Sequence, residues 1–432
     1  MERKIVKKLK EWKVSKKRMP LLIYGARQVG KTYTVLTFGK ELYKNTVYFN
    51  MEDSIENSLI FEKDLKPERI IRELSAKSGQ TIFKEDTLII FDEIQASERA
   101  LTSLKYFCEE APEYHIIATG SLLGVALNRE KYSFPVGKVD MMNLYPLDFE
   151  EFLWATDNHK ICDLIREHFD NNLEFSLHDS SMDLYKRYLV IGGMPRAILE
   201  YIETNDYNFV RATQKNLNDA YIADMAKYAT TQETTKIMAT WSSVPAQLAK
   251  ENHKFQYKVI KSGARAYEYE SSIDWLRIGG IINKCIRITE GKMPLSAYAD
   301  NSSFKVYMLD CGLLCSKFDI AANVIIDNPH SFAGFKGALA ENYIMQALVS
   351  NGIKPYYWSS QGKAELDFVF QDTQGNIIPL EAKSSENVRS KSLKTFINSY
   401  DVPYAIRVSA KNFGFENNIK SIPLYAVFCL TI

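Results

Sequence analysis

The stretch PLLIYGARQVGKTYTVLTFGK, residues 20–40, decides the fold. A short apolar run of strand length leads into GARQVGKT, Gly25–Thr32, and a helix-forming run follows. This is the GxxxxGK[ST] pattern in its required setting of strand, glycine loop and helix. The glycines let backbone N–H groups curl around phosphates, and the helix N-terminus adds partial positive charge. The backbone of Gly25, Ala26, Arg27, Gln28, Val29 and Gly30 is therefore expected to cradle ATP, with Tyr33 at the edge of the site. Lys31 is expected to reach the β- and γ-phosphates, and the Thr32 hydroxyl to ligate Mg²⁺. The alternative is a glycine turn without nucleotide.

Outward from that stretch, the first 150 residues alternate strand and helix. TVYFNM (46–51), TLIIFDE (87–93) and HIIATGS (115–121) are apolar runs of strand length, separated by helical stretches such as SERALTSLKYFCEEA. Such alternation predicts a parallel sheet covered by helices. Asp92 ends an apolar strand, where a carboxylate can hold the magnesium water shell, and Glu93 follows as the base that orients water against the γ-phosphate. Thr119 closes the next strand, where a polar side chain can sense the γ-phosphate or simply end the strand.

Residues 150–230 read as helices, among them EEFLWATDN and SMDLYKRYLVIGG. Residues 232–310 read as three helical pieces and two strands, NKCIRITEG and SFKVYMLD, the order of a winged helix-turn-helix. That segment holds eleven Lys/Arg against eight Asp/Glu, and Lys258, Lys261 and Arg265 precede a helix made acidic by Glu268 and Glu270. Contact with DNA and contact with a protein are both open there. The best linker candidate is 323–329.

GARQVGKT, LIIFDEIQ, IIATGS, LYPLDFEEFL and GGMP together resemble a bacterial and archaeal family of AAA-type ATPases, related to the archaeal-type and STAND nucleotide-dependent switch proteins. The resemblance spans essentially the whole chain. It implies a helical lid after the ATPase core, with Gly192, Gly193, Met194 and Pro195 over the nucleotide base, then a winged helix and a C-terminal domain similar to PD-(D/E)xK nucleases. A plain helix break is the other reading of GGMP. The arginine that completes AAA sites is unassigned: Arg129 and Arg196 stand at suitable places, and oligomeric state stays open.

The end of the chain carries its own pattern. ELDFVF (365–370) alternates, as does IIPLEAK (377–383). A hairpin centred on Gln374 sets Asp367 opposite Glu381, with Cβ atoms about 4.5–5.5 Å apart. Two carboxylates so close repel unless a cation intervenes, and magnesium suits them. Lys383 shares their face and can stabilise charge on a reacting phosphate. Asp367, Glu381-Ala382-Lys383 and, on the preceding helix, Glu341 resemble the PD-(D/E)xK core; the resemblance implies Glu341, Asp367 and Glu381 as metal ligands. The alternative is a salt-bridged cluster in a domain that binds without cutting.

The expected fold class is thus α/β: a P-loop NTPase parallel-sheet core (1–150), a helical lid (151–231), a winged helix (232–322) and a small α/β PD-(D/E)xK-like domain (323–432). The 432-residue chain is 46% hydrophobic and 25% charged, with net charge +1, so it is no global polycation. The first eighteen residues are locally basic, with nine Lys/Arg and two Glu, fitting either phosphate contact or a solvated helix packed through Ile5, Leu9 and Trp12. Six cysteines without paired CxxC spacing argue against a disulfide framework or zinc ribbon and fit a reducing cytoplasm. No apolar run long enough to span a membrane occurs. The expected function is an ATP-driven, Mg²⁺-dependent switch acting on nucleic acid through a nuclease-like domain. The alternative is a regulatory or remodelling ATPase acting on protein partners with an inactive nuclease-like domain.

Overall fold

A computed structural model of the chain describes residues 1–121, 134–250, 254–327, 333–360, 364–385 and 391–431. It divides into two compact units, residues 2–145 with 278–280, and residues 146–277 with 281–432 and Met1.

The first unit is a five-stranded parallel sheet with strand order β2-β3-β4-β1-β5. Its strands are β1 (Leu21–Tyr24), β2 (Asn45–Asn50), β3 (Thr87–Asp92), β4 (His115–Gly120) and β5 (Asp140–Asn143). Strands β3 and β4 are buried at every position. A parallel sheet is covered on both faces, which is why these strands read as continuous apolar runs. The covering helices include α1 (Ile5–Val14), α2 (Lys31–Leu42), α3 (Pro67–Ser78) and α4 (Glu98–Glu110). Phe61 and Phe91 meet edge to face at 5.5 Å in a core shared with Ile70, Leu74, Leu104 and Phe107. Helix α1 packs through Ile5, Leu9 and Trp12, the solvated-helix arrangement, and Trp12 Nε1 donates to the Met19 carbonyl at 2.9 Å. Strand β5 was not anticipated; DMMN lacks an apolar run, because a short edge strand is only half covered.

The second unit opens with helices from Phe149 to Leu248, including α5 (His178–Ile191), α6 (Pro195–Thr204), α7 (Tyr207–Tyr228) and α8 (Thr231–Leu248). Helix α9 (Ala266–Ile278) precedes β6 (Ile282–Ile288) and β7 (Ala299–Met308), an antiparallel pair as expected. After α10 (Cys311–Lys317) and α11 (Ala333–Ser350) come β8 (Tyr356–Ser359), β9 (Glu365–Gln371) and β10 (Ile377–Ala382). Helix α12 (Lys391–Ser399), β11 (Ala405–Ser409), β12 (Gly414–Glu416) and β13 (Ile419–Pro423) complete it.

One difference from the expected layout matters for the site. The β6–β7 hairpin joins a larger sheet, because β6 also pairs in parallel with β8. All eight strands form one mixed sheet in the order β12-β13-β11-β10-β9-β8-β6-β7. Of the linker candidate 323–329, residues 323–327 fall inside the larger unit, and the rest lies outside the described residues. The sheet is packed by α12, with Trp358 and Phe396 edge to face at 5.2 Å.

Candidate functional sites

In the first unit, the loop between β1 and α2 takes a shape that only its sequence permits. Gly25 has φ +154, and a Cβ there would lie 2.2 Å from the Leu144 carbonyl oxygen. Gly30 has φ +94 and caps α2 in the left-handed region, where a side chain is strained. The loop is also fastened from outside. Arg3, buried, donates through Nη1 to the Val29 carbonyl at 2.9 Å and through Nη2 to the Tyr145 carbonyl at 2.6 Å.

Lys31 opens α2 and is buried. Its ammonium donates to the carbonyls of Gly25 at 3.1 Å and Ala26 at 2.8 Å, so it lies folded over the loop it is expected to serve. Tyr33, by contrast, is exposed. Asp92 is the focus of the site. Its Oδ2 accepts from Thr32 Oγ1 at 2.8 Å and from the Tyr48 hydroxyl at 2.8 Å. Its Oδ1 accepts from Thr119 Oγ1 and from the Glu93 N–H, the latter at 3.1 Å. Burial, and then the hydrogen bond to Asp92, hold the Tyr48 phenol protonated well beyond its usual range. Thr119 is fully buried and turned onto Asp92. Glu93 sits at φ +49, ψ +45, a left-handed geometry rare outside glycine, which costs of order 1–3 kcal/mol and is held by its surroundings. Gln95 Nε2 donates to Glu93 Oε2, and Gln95 is packed so tightly that a Cβ on Gly120 would meet its Oε1 at 2.4 Å. Arg3, Tyr48 and Gln95 were not singled out in the sequence. Gln95 lies within the quoted FDEIQ run, and Tyr48 lies on the strand beside Asp92, so position relative to a known motif was the available signal.

The oxygen donors here suit magnesium, a hard cation that takes one or two protein oxygens and keeps several waters. The Thr32 hydroxyl and the Asp92 carboxylate, 2.8 Å apart, are such a pair. Pro195 belongs to the other unit, where it is the first residue of α6. There Gly192 (φ +75) and Gly193 are dictated by packing: a Cβ on Gly193 would lie 1.9 Å from the Leu147 carbonyl oxygen, and Gly193 N–H donates to Asp310 Oδ2 at 2.6 Å. Arg196 is exposed on α6, and Arg129 lies outside the described residues.

The second candidate cluster is in the eight-stranded sheet. The β9–β10 ladder runs from Gln371↔Ile377 to Phe368↔Leu380, the register centred on Gln374, and its next step sets Asp367 beside Glu381. Asp367 Oδ2 accepts from the Ala382 N–H at 2.8 Å. Lys383 Nζ lies 2.7 Å from Glu381 Oε1, while Glu381 Oε2 is buried with no hydrogen-bond partner. Glu341, on α11, accepts from the Tyr307 hydroxyl at 3.0 Å.

A residue that the sequence reading passed over sits among them. Lys305, on β7, is 1% exposed. Its Nζ lies 2.8 Å from Glu365 Oε1, 3.8 Å from Glu341 Oε2, 4.0 Å from Asp367 Oδ1 and 5.2 Å from the centre of the Tyr357 ring. Burial alone lowers its pKa, but Glu341, Asp367 and Glu365 outweigh burial and keep it an ammonium. The Asp367 carboxyl is raised, first by burial and then by Glu341, with Lys305 pulling the other way and Glu381 adding to the rise.

Among the described residues, no three or more His, Cys, Asp or Glu side chains are grouped to hold a metal ion. Asp367 feels both Glu341 and Glu381, yet one Asp367 oxygen serves Ala382, one Glu381 oxygen serves Lys383, and Lys305 stands at Glu341. The acids expected as metal ligands are thus interleaved with two lysines, Lys305 and Lys383.

Comparison with known proteins divides the chain in three. Residues 17–153 match the model of an AAA domain. Residues 182–323 match a domain of unknown function (DUF8612), and residues 336–427 match another (DUF4143). The uncharacterized protein MJ1637 of Methanocaldococcus jannaschii is 28% identical over 209 residues, 44% of this chain and 41% of that protein. The chain thus spans about two-fifths of the length of that relative. Among solved structures, the Walker-type ATPase PABY2304 of Pyrococcus abyssi is similar at 14% identity, with 72% of this chain and 94% of that chain covered and a TM-score of 0.43. The Aeropyrum pernix ORC1 protein in complex with DNA is similar at 12% identity, with 73% and 91% covered and a TM-score of 0.31. The first unit, residues 2–145 with 278–280, holds most of the stretch that matches the AAA domain.

Proposed function

We propose that this chain binds and hydrolyses ATP as an AAA-type switch, with residues 151–231 as its lid, 232–322 as a winged-helix-like segment and 323–432 as a nuclease-like domain. The observation that carries the reading is the convergence of Thr32, Tyr48 and Thr119 on the Asp92 carboxylate, beside a loop whose Gly25 has no room for a Cβ.

The chemistry follows from the residues. Lys31, resting on two loop carbonyls, exchanges them for phosphate oxygens, which are better partners because they carry charge. Thr32 and Asp92 hold magnesium, which when bound offsets phosphate charge. Glu93 accepts a hydrogen bond from the attacking water and aligns it for displacement at the γ-phosphorus. Gln95 holds the Glu93 carboxylate until it is needed. Little covalent chemistry is asked of the protein; positioning and electrostatics supply the rate.

For the partner, a nucleic acid is favoured by one observation. Helix α1 buries its apolar stripe and leaves Lys7, Lys8 and Lys10 exposed, with Lys16 and Lys17 exposed just beyond. A basic face of this kind suits a phosphate backbone. Lys258, Lys261 and Arg265 are exposed as well. For the nuclease-like domain, Lys305 favours binding over cutting. The test is ATP turnover measured with and without single-stranded and duplex DNA. Stimulation supports nucleic acid as the partner; unchanged turnover, with no salt-dependent DNA binding, points to a protein partner instead.

A further inference from the structure

We propose that Lys305 is the built-in cation of the carboxylate cluster on the eight-stranded sheet, standing where a divalent metal would otherwise be needed. The proposal goes beyond the ATPase reading and does not depend on it.

Taking an ammonium out of water costs several kcal/mol even after the protein relaxes, so it persists only among close acids. Lys305 has three: Glu365 in hydrogen-bond contact at 2.8 Å, with Glu341 at 3.8 Å and Asp367 at 4.0 Å. The face of Tyr357 covers it at 5.2 Å. The converse holds for the acids. Asp367 and Glu341 come from different elements, β9 and α11, and are brought within reach of one ammonium on a third, β7. A cation that draws carboxylates in from separate elements does the structural work of a metal ion.

The remaining partners fit the same account. Lys383 neutralises Glu381 at 2.7 Å, the Ala382 N–H takes Asp367 Oδ2, and the Tyr307 hydroxyl takes Glu341 Oε2. Glu381 Oε2 is buried without a hydrogen-bond partner. Lys305 and Lys383 already stand beside these acids, and their like charge opposes entry of a further cation. Lys305 also explains why a charged residue stands in the otherwise apolar run FKVYML. Its head group is buried with its stem, rather than reaching water as surface lysines do.

The experiment is a manganese titration of the full, nucleotide-free chain, read by the electron paramagnetic resonance of free Mn²⁺, with Asp367→Asn as the control that assigns any signal to this cluster. In the wild type, no uptake sensitive to Asp367→Asn is expected, and thermal melting should be the same in EDTA and in Mn²⁺. Lys305→Met, which keeps the stem and removes the charge, should bind Mn²⁺ at least about tenfold more tightly than the wild type, because the acids then lack a cation. Wild-type uptake that disappears in Asp367→Asn overturns the proposal. A folded Lys305→Met that gains no metal overturns it too. If Lys305→Met does not fold, the wild-type titration decides alone. The measurement does not read ATP turnover, so failure of the ATPase reading leaves it intact.

Discussion

Thr119 shows how one hydroxyl ties a strand end to chemistry. It is fully buried, and its Oγ1 donates to Asp92, the carboxylate that Thr32 and Tyr48 also hold. Thr119→Val keeps the shape and removes the bond. A hydrogen bond to a charged group is worth about 1.5–3 kcal/mol, so Mg²⁺–ATP affinity should fall roughly tenfold or more. Affinity for ATP without magnesium should hardly change; calorimetry with and without the ion separates the two. A second residue-scale expectation concerns pH. His115 is buried, and its Nδ1 shares a hydrogen bond with the Tyr43 hydroxyl at 2.7 Å. Burial, and then the charges of Arg18 and Lys13, bring its pKa down from 6.5 to about 4. Between those values the unfolded chain binds more protons than the folded one. Stability from this group is therefore complete above its unfolded pKa and is lost as pH falls toward its folded pKa. His115→Gln should shrink the loss of urea resistance between about pH 7 and about pH 5; an unchanged loss would exclude His115 as its source. Residues whose position the backbone dictates, such as Gly25, Gly30, Lys31 and Asp92, were legible in the sequence. Arg3 and Tyr48 were not, because their partners lie in other elements and no local pattern marks them. Lys305 left a trace, a lysine inside an apolar strand, that periodicity alone does not interpret.

At the scale of elements, two linkages carry expectations. The turn Gly192-Gly193 and the start of α10 are joined by Asp310, which is fully buried and accepts from Gly193 N–H at 2.6 Å and Leu313 N–H at 2.9 Å. Asp310→Ala removes a helix cap and strands two buried donors, which should cost about 2–4 kcal/mol in urea unfolding. A loss below about 0.5 kcal/mol would mean that the turn and helix hold together without it. Helix α1 is the other case. If nucleic acid binds its basic face, each neutralised phosphate contributes about 0.9 to the log–log salt slope for duplex DNA. Replacing Lys7, Lys8 and Lys10 with Gln should flatten that slope, and an unchanged slope would place the contact elsewhere. Four of the five strands of the first sheet were legible as apolar runs, most clearly β3 and β4, which the sheet buries at every position. Strand β5 was not, being a short edge strand with mixed residues. The β9–β10 register was legible because a hairpin needs only a centre, and Gln371↔Ile377 shares the centre inferred for Asp367 and Glu381.

For the whole molecule, what was hardest to read was pairing at long range. The hairpin β6–β7 looks complete in sequence, and nothing local announces that β6 runs parallel to β8 across some seventy residues. That pairing makes one eight-stranded sheet and brings Lys305 to Glu341, Glu365 and Asp367. It sets a buried ammonium among the acids that the sequence marked as metal ligands. The P-loop unit needed no such long-range knowledge, since its site lies on strand ends and one loop. The central claim is that this unit hydrolyses ATP with Glu93 aligning the water. The direct measurement is steady-state ATP hydrolysis by the wild type and by Glu93→Gln, each first shown by calorimetry to bind Mg²⁺–ATP. The account predicts turnover by the wild type and a loss of about a hundredfold or more in Glu93→Gln at unchanged affinity. Hydrolysis by Glu93→Gln at the wild-type rate, or a wild type that binds ATP and does not turn it over, would contradict it.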